Sequence, residues 1–182
     1  MHQARSDRAD AKTAGADVNN PELGELVRRA QAGDAIAIGE MLQLLEPYVG
    51  RLCAPIAMQD AADAAQEAMI VIFRSIWQLD EPAALFGWVR TICVREAIRV
   101  ARRAARSVTA ELIELPARGY PQLGADIEDV LRRLRPEHRA MLTLRDLEGL
   151  DEQSVARILR LPVGTVRSRL FRARRAFRAA WE

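Results

Sequence analysis

The segment LPVGTVRSRLFRARRAF, Leu161 to Phe177, carries arginine at 167, 169, 172, 174 and 175. Guanidinium groups at this density do one kind of chemistry well. They bind anions, bidentately on a phosphate and on the acceptor edge of guanine. Side chains suited to catalysis are scattered instead. His2 stands near the N-terminus, and His138 is alone at a predicted helix start. Cys53 and Cys93 lie on apolar segments without CxxC spacing or a neighbouring histidine, so they are expected as reduced core residues. No nucleophile–base pair, carboxylate pair, metal-ligand spacing or phosphate loop appears. The sequence predicts a binding protein rather than an enzyme, with no cofactor and no metal.

Arginines need a scaffold to aim them. On a helix over 162–180, Val166, Leu170, Ala173 and Phe177 recur at core spacing, while Arg167, Ser168, Phe171, Arg172 and Arg175 share the opposite face. A flat apolar group such as Phe171 among charges suits a thymine methyl or a sugar. Thr165, at the helix start, suits a phosphate. A lone basic helix is more often a solvated face whose arginines snorkel over the core. The short helix expected at 151–160 changes that balance, because a helix, a tight turn at Arg160–Leu161 and a longer basic helix make a helix-turn-helix.

Charge is patterned rather than large. The 182 residues sum to +2, yet Arg157, 160, 167, 169, 172, 174, 175 and 178 face a single acid, Glu182, at the C-terminal end. A second basic run holds Arg90, Arg95, Arg99, Arg102, Arg103 and Arg106 against Glu96 alone. Acids gather elsewhere, at Asp60, Asp63 and Glu67 and at Asp126, Glu128 and Asp129. Lys12 is the only lysine, which weakens the weight of any single arginine. No apolar run reaches membrane-spanning length and no signal-peptide core opens the chain, so a soluble, cytoplasmic protein without membrane insertion is expected.

Periodicity and punctuation give an all-α chain. Residues 1–19 are polar and without period, a disordered tail. Asn20 and Pro21 open a helix that Gly33 closes. A second helix is expected over 35–45, stopped by Pro47, then an apolar segment over 48–56 interrupted by Pro55. A third helix spans 60–77, with Asp60 as its cap and Met69, Ile70, Ile72, Phe73 and Ile76 as its apolar face. A long one runs over 83–106. Pro116, Gly119, Pro121 and Gly124 mark 107–124 as a linker. Short helices follow over 126–134, 136–147, 151–160 and 162–180. The expected architecture is two small helical domains, 20–106 and 125–182, joined by a flexible linker, with the helix-turn-helix in the second.

The stretch LRPEHRAMLTLRDLEGLDEQSVARILRLPVGTVRSRLFRARRAF resembles the C-terminal domain of extracytoplasmic-function sigma factors of bacterial RNA polymerase, and GTVRSRLFRAR is close to that family's signature. DAADAAQEAMIVIFRSI resembles the family's core-binding helix, and LFGWVRTI the start of its promoter-melting helix. The resemblance covers about Glu22 to Trp181. It implies an alternative sigma factor that binds core RNA polymerase, through the β′ clamp coiled coil and the β flap, and reads the −35 and −10 elements of promoter DNA.

By the same resemblance, Asp63, Gln66 and Glu67 match polymerase-binding positions. Arg90, Arg95, Arg99, Arg102 and Arg103 match a phosphate track on the −10 strand, with Trp88 as either a stacking platform or core. Arg167, Ser168, Phe171 and Arg172 match −35 base positions, with Thr165, Arg169 and Arg175 on phosphates. Arg95 and Arg99 stand where the family often has Asn and Asp, and the loop LDEPAAL lacks its small polar groups. The family also implies a cognate anti-sigma factor, often membrane-anchored, wedged between the domains. Two other functions fit parts of the sequence: a stand-alone helix-turn-helix regulator, and a sigma-like decoy for an anti-sigma protein. The clamp-docking helix argues against the first, and the retained arginines against the second.

Overall fold

A computed structural model describes residues 21–108 and 123–181. The expected tail at 1–19, the Asn20 cap and most of the linker lie outside the described residues. The elements are α1 (Pro21–Gln31), α2 (Ala35–Ala57), α3 (Ala61–Ser75), α4 (Leu85–Val108), α5 (Leu123–Arg132), α6 (Pro136–Leu142), α7 (Glu152–Leu159) and α8 (Val163–Trp181). All described regular structure is helical, as the sequence predicts.

Local chemistry sets most boundaries. Gly33, at φ +89°, turns the chain after α1, and Asp34 caps α2 by accepting from the amides of Ile36 and Ala37. Pro136 opens α6. Asp151 caps α7 by accepting from the Ser154 amide at 2.7 Å. Asp60 does not cap α3 as expected. A turn of 3-10 helix at Met58–Asp60 leads straight into α3, so Asp60 lacks the extended backbone that a capping carboxylate needs.

The prolines of α2 correct a second expectation. The predicted break after residue 45 is absent, and one 23-residue helix carries both Pro47 and Pro55. Each interior proline costs about 3 kcal/mol in a free helix. Burying Met41, Leu45, Tyr48, Val49, Leu52, Cys53 and Ile56 along one face offsets that. Pro47 itself is exposed and Pro55 half-buried.

α2, α3 and α4 pack together, with α1 across α2. Gln31 fastens α1 to the end of α3 by donating to the carbonyls of Ile76 and Leu79. In the C-terminal unit, α8 packs on α5, α6 and α7. The two units also meet. Ala140, Met141, Leu144, Val155, Ile158, Val166 and Leu170 belong to the same continuous apolar core as the N-terminal helices.

Candidate nucleic-acid interface

The helix-turn-helix is formed by α7 and α8. Arg160 ends α7 in the left-handed region at φ 53°, where a non-glycine residue costs about 1 kcal/mol. The Leu161 amide returns to the Ala156 carbonyl at 3.0 Å, and the Pro162 carbonyl accepts from Thr165 and Val166 to start α8. Val166, Leu170 and Ala173 are buried as expected. Phe177 is half-buried and stacks on Trp181, with ring centroids 6.2 Å apart.

The opposite face is open. Arg167, Ser168, Arg172 and Arg175 are exposed, and Phe171 is 65% exposed. Thr165 and Arg169 are half-buried at its edge. Ser168 donates its hydroxyl to the Thr165 carbonyl at 3.0 Å, and Arg172 Nε donates to the Ser168 carbonyl at 3.3 Å. Arg167 lies 2.5 Å from Glu152 of α7, a pair the sequence reading missed, although Glu152 sits in the first turn of that helix. Such exposed pairs are worth little in water, so Glu152 holds Arg167 only weakly. His138 lies near this helix. Burial, then Arg135, then Arg172 and Arg169 hold its imidazole below the ordinary range, against the pull of Glu137.

The arginines of α4 have a different setting. Arg90 Nε lies 3.1 Å from Glu148, Arg95 Nε donates to the Ile158 carbonyl at 3.0 Å, and Arg102 pairs with Glu137. Arg99 lies 2.6 Å from Glu96 and 3.0 Å from Glu67, and Arg103 is 3.7 Å from Glu67. Trp88 is half-buried against the core.

On α3 the expected apolar face divides. Ile72 and Ile76 are buried, whereas Ile70 and Phe73 are exposed and Trp77, just beyond the helix, is 61% exposed. With the exposed Asp63 and Gln66 they form an outward row at 63, 66, 70, 73 and 77. Spacings of three and four are those of a coiled-coil seam. Glu67 stands beside the row and turns to α4.

Cys53 and Cys93 are fully buried free thiols in contact range. The Cys53 thiol and burial push the Cys93 thiol upward. Among the described residues no cluster of His, Cys, Asp and Glu is placed to hold a metal, and no helix is long and apolar enough to cross a membrane.

The family model "Sigma-70, region 4" matches residues 125–177, which takes in α6, the helix-turn-helix and most of α8. The chain is 32% identical to the RNA polymerase sigma-H factor of Pseudomonas aeruginosa over 173 residues, 84% of this chain and 90% of that protein. It is 30% identical to the ECF RNA polymerase sigma-E factor of Haemophilus influenzae, over 82% of this chain and 89% of that one. The chain belongs to the extracytoplasmic-function sigma factors. Two solved structures share the fold. One is RpoE of Bartonella quintana in complex with the anti-sigma factor NepR, with TM-score 0.59 and 22% identity over 78% of this chain and 94% of that one. The other is CnrH with the cytosolic domain of CnrY, with TM-score 0.56 and 20% identity over 86% and 94%. For a sigma factor, the helix-turn-helix, the arginine helix α4 and the seam on α3 are three separate surfaces on one small frame.

Proposed function

We propose that this sigma factor binds core RNA polymerase and directs promoter-specific initiation by reading a −35 element with α8 and a −10 element with α4. The outward face of α8 carries the reading: Arg167, Ser168, Phe171 and Arg172 lie exposed on the second helix of a helix-turn-helix, and nothing in the core needs them there. A good bidentate arginine contact is worth about 1–3 kcal/mol of base discrimination. Arg175, Arg169 and Thr165 suit flanking phosphates. Asp63, Gln66, Ile70, Phe73 and Trp77 suit a coiled-coil partner, which matches a docking helix on the polymerase clamp. A stand-alone regulator has no use for that seam. In this reading the RNA chemistry belongs to polymerase and the sigma factor is an initiation factor working in the cytoplasm.

Two modest DNA surfaces bind a promoter weakly alone. Polymerase raises their joint affinity by holding both at fixed spacing. A cognate anti-sigma factor is part of the proposal, because one structural relative was solved with an anti-sigma factor and the other with the cytosolic domain of a second protein, CnrY.

Run-off transcription with bacterial core polymerase on promoters selected from a randomised library tests the reading. Core-dependent initiation should enrich a −35 motif, and Arg167→Ala/Arg172→Ala should lose that motif while still binding core. Absence of any binding to core would reject the reading.

A further inference from the structure

Three arginines of α4 are engaged by the protein's own C-terminal unit, Arg90 and Arg95 half-buried and Arg102 exposed, while Arg99 and Arg103 stay exposed beside Glu67 of α3. Arg90 meets Glu148, Arg102 meets Glu137, and Arg95 donates to the Ile158 carbonyl near the C-terminal end of α7, where a cation also meets the negative end of the helix dipole. From the other side, Arg139 of α6 is 7% exposed and reaches across to the Ile56 carbonyl near the end of α2, with N–O 2.7 Å. It also donates to the carbonyls of Leu131 and Leu134 at 3.3 and 2.9 Å, tying α2 to the end of α5. The ring of Tyr48 is sealed at this junction, 7% exposed, with its hydroxyl buried and unpartnered close to Arg90 and Glu148. Apolar side chains continue through the seam between the units.

All of these links are intrachain. The surfaces left outside are equally specific. The seam of α3 and the outward face of α8 stay exposed while Arg90, Arg95 and Arg102 are engaged.

We propose that the chain latches itself in a closed state in which Glu148, Glu137 and the end of α7 occupy Arg90, Arg102 and Arg95 of α4, so that the free protein withholds this part of its −10 surface without any partner. The closed protein can still present α3 to a clamp helix and α8 to a duplex. Parting of the two units exchanges the acid and carbonyl partners of α4 for phosphates. The inference rests on the proposed role of α4 and adds its regulation.

The test compares wild type with Glu137→Gln/Glu148→Gln, and with Glu128→Gln/Asp129→Asn as a charge-matched control. Glu128 and Asp129 pair locally, with Arg132 and Arg133 four residues on. Small-angle scattering reads whether the units part. Fluorescence anisotropy on a random-sequence single-stranded DNA reads access to α4, in an Arg167→Ala/Arg169→Ala/Arg172→Ala/Arg175→Ala background that strips the phosphate and base contacts proposed for α8. The latch variant should expand and bind about tenfold more tightly than the control, which should stay compact. Equal size and equal affinity for latch variant and control would overturn the proposal, as would a wild type already extended in solution. Run-off transcription with core, in the otherwise wild-type chain, separates the two claims. Expansion without initiation by any form rejects the proposed function and leaves the latch. Initiation without expansion rejects the latch and leaves the function.

Discussion

α4 and α8 are both arginine-rich helices, yet the fold treats them oppositely. On α8 the guanidinium groups at 167, 172 and 175 project outward, with at most one surface acid nearby. On α4 the arginines at 90, 95, 99 and 102 each have an acid or a carbonyl within reach, several of them supplied by the other unit. Composition alone ranks the two helices equally. What separates them is what lies opposite: the outward face of α8 meets solvent, whereas Arg90 and Arg95 of α4 are half-buried against the second unit and Arg99 and Arg102 are exposed but paired with acids. A basic helix is therefore available for an anion only where the fold leaves its partners out.

The largest expected effect tests the joint that covers α4. Arg139 is nearly buried and satisfies three carbonyls from two places in the chain, the end of α2 and the end of α5. Arg139→Met removes the donors and leaves those acceptors in a dry site. Losing the charge-assisted hydrogen bonds to these carbonyls costs about 3 kcal/mol. Urea unfolding should show a midpoint shift of that size. A shift below about 1 kcal/mol would mean that the joint contributes little.

Next comes the open helix. Arg167→Ala and Arg172→Ala should each weaken discrimination at a −35 base pair by about 1–3 kcal/mol, read by competition binding of the polymerase holoenzyme on single-base promoter variants. Both side chains are exposed, so stability should move by no more than about 0.5 kcal/mol. A comparable loss of stability in either variant would erase the contrast with Arg139.

Tyr48 sharpens the closed side through pH. Burial, with Glu148 assisting and Arg90 opposing, pushes its hydroxyl up to about 12. In the unfolded chain a tyrosine ionises near pH 10. Between these values the unfolded state holds fewer protons than the folded one. Its contribution is therefore full below pH 10 and is lost as pH rises through 12, by about 3 kcal/mol in all. Tyr48→Phe should remove that slope, and below pH 9 it should cost almost nothing, because the hydroxyl has no hydrogen-bond partner to lose. Unfolding midpoints of the two proteins measured from pH 9 to 12 check both statements.

The sequence shows the open helix far better than the covered one. The periodicity of Val166, Leu170 and Ala173 sets the outward face of α8 directly, and Asp151, Pro136 and Gly33 mark real boundaries. Four features stay hidden for physical reasons. Pro47 and Pro55 carry a local rule against helix that tertiary burial overrides. Asp60 has a capping side chain but not a capping backbone. Ile70 and Phe73 share residue type with Ile72 and Ile76, and only the packed neighbours decide which pair faces out. The partners of Arg95 and Arg139 are main-chain carbonyls, which every residue has, so no side-chain pattern could name them.

The smallest expected effect isolates the aromatic residue among the charges. Phe171 is 65% exposed while its neighbour Leu170 is buried, so the backbone places one apolar side chain in the core and the next in solvent. Exposing a ring this large has a cost that core packing does not recover. Phe171→Ala should leave unfolding within about 0.5 kcal/mol of wild type. On the proposed −35 duplex it should lose about 1 kcal/mol, confined to the base pair whose methyl or sugar the ring covers. Replacing thymine by uracil at successive positions of the duplex locates that contact. The wild type should weaken at one position, and the Phe171→Ala protein should not notice the missing methyl there. If both proteins lose affinity equally at every thymine, the ring makes no base contact. The outward face of α8 would then be reduced to its arginines, which is the state in which α4 already is.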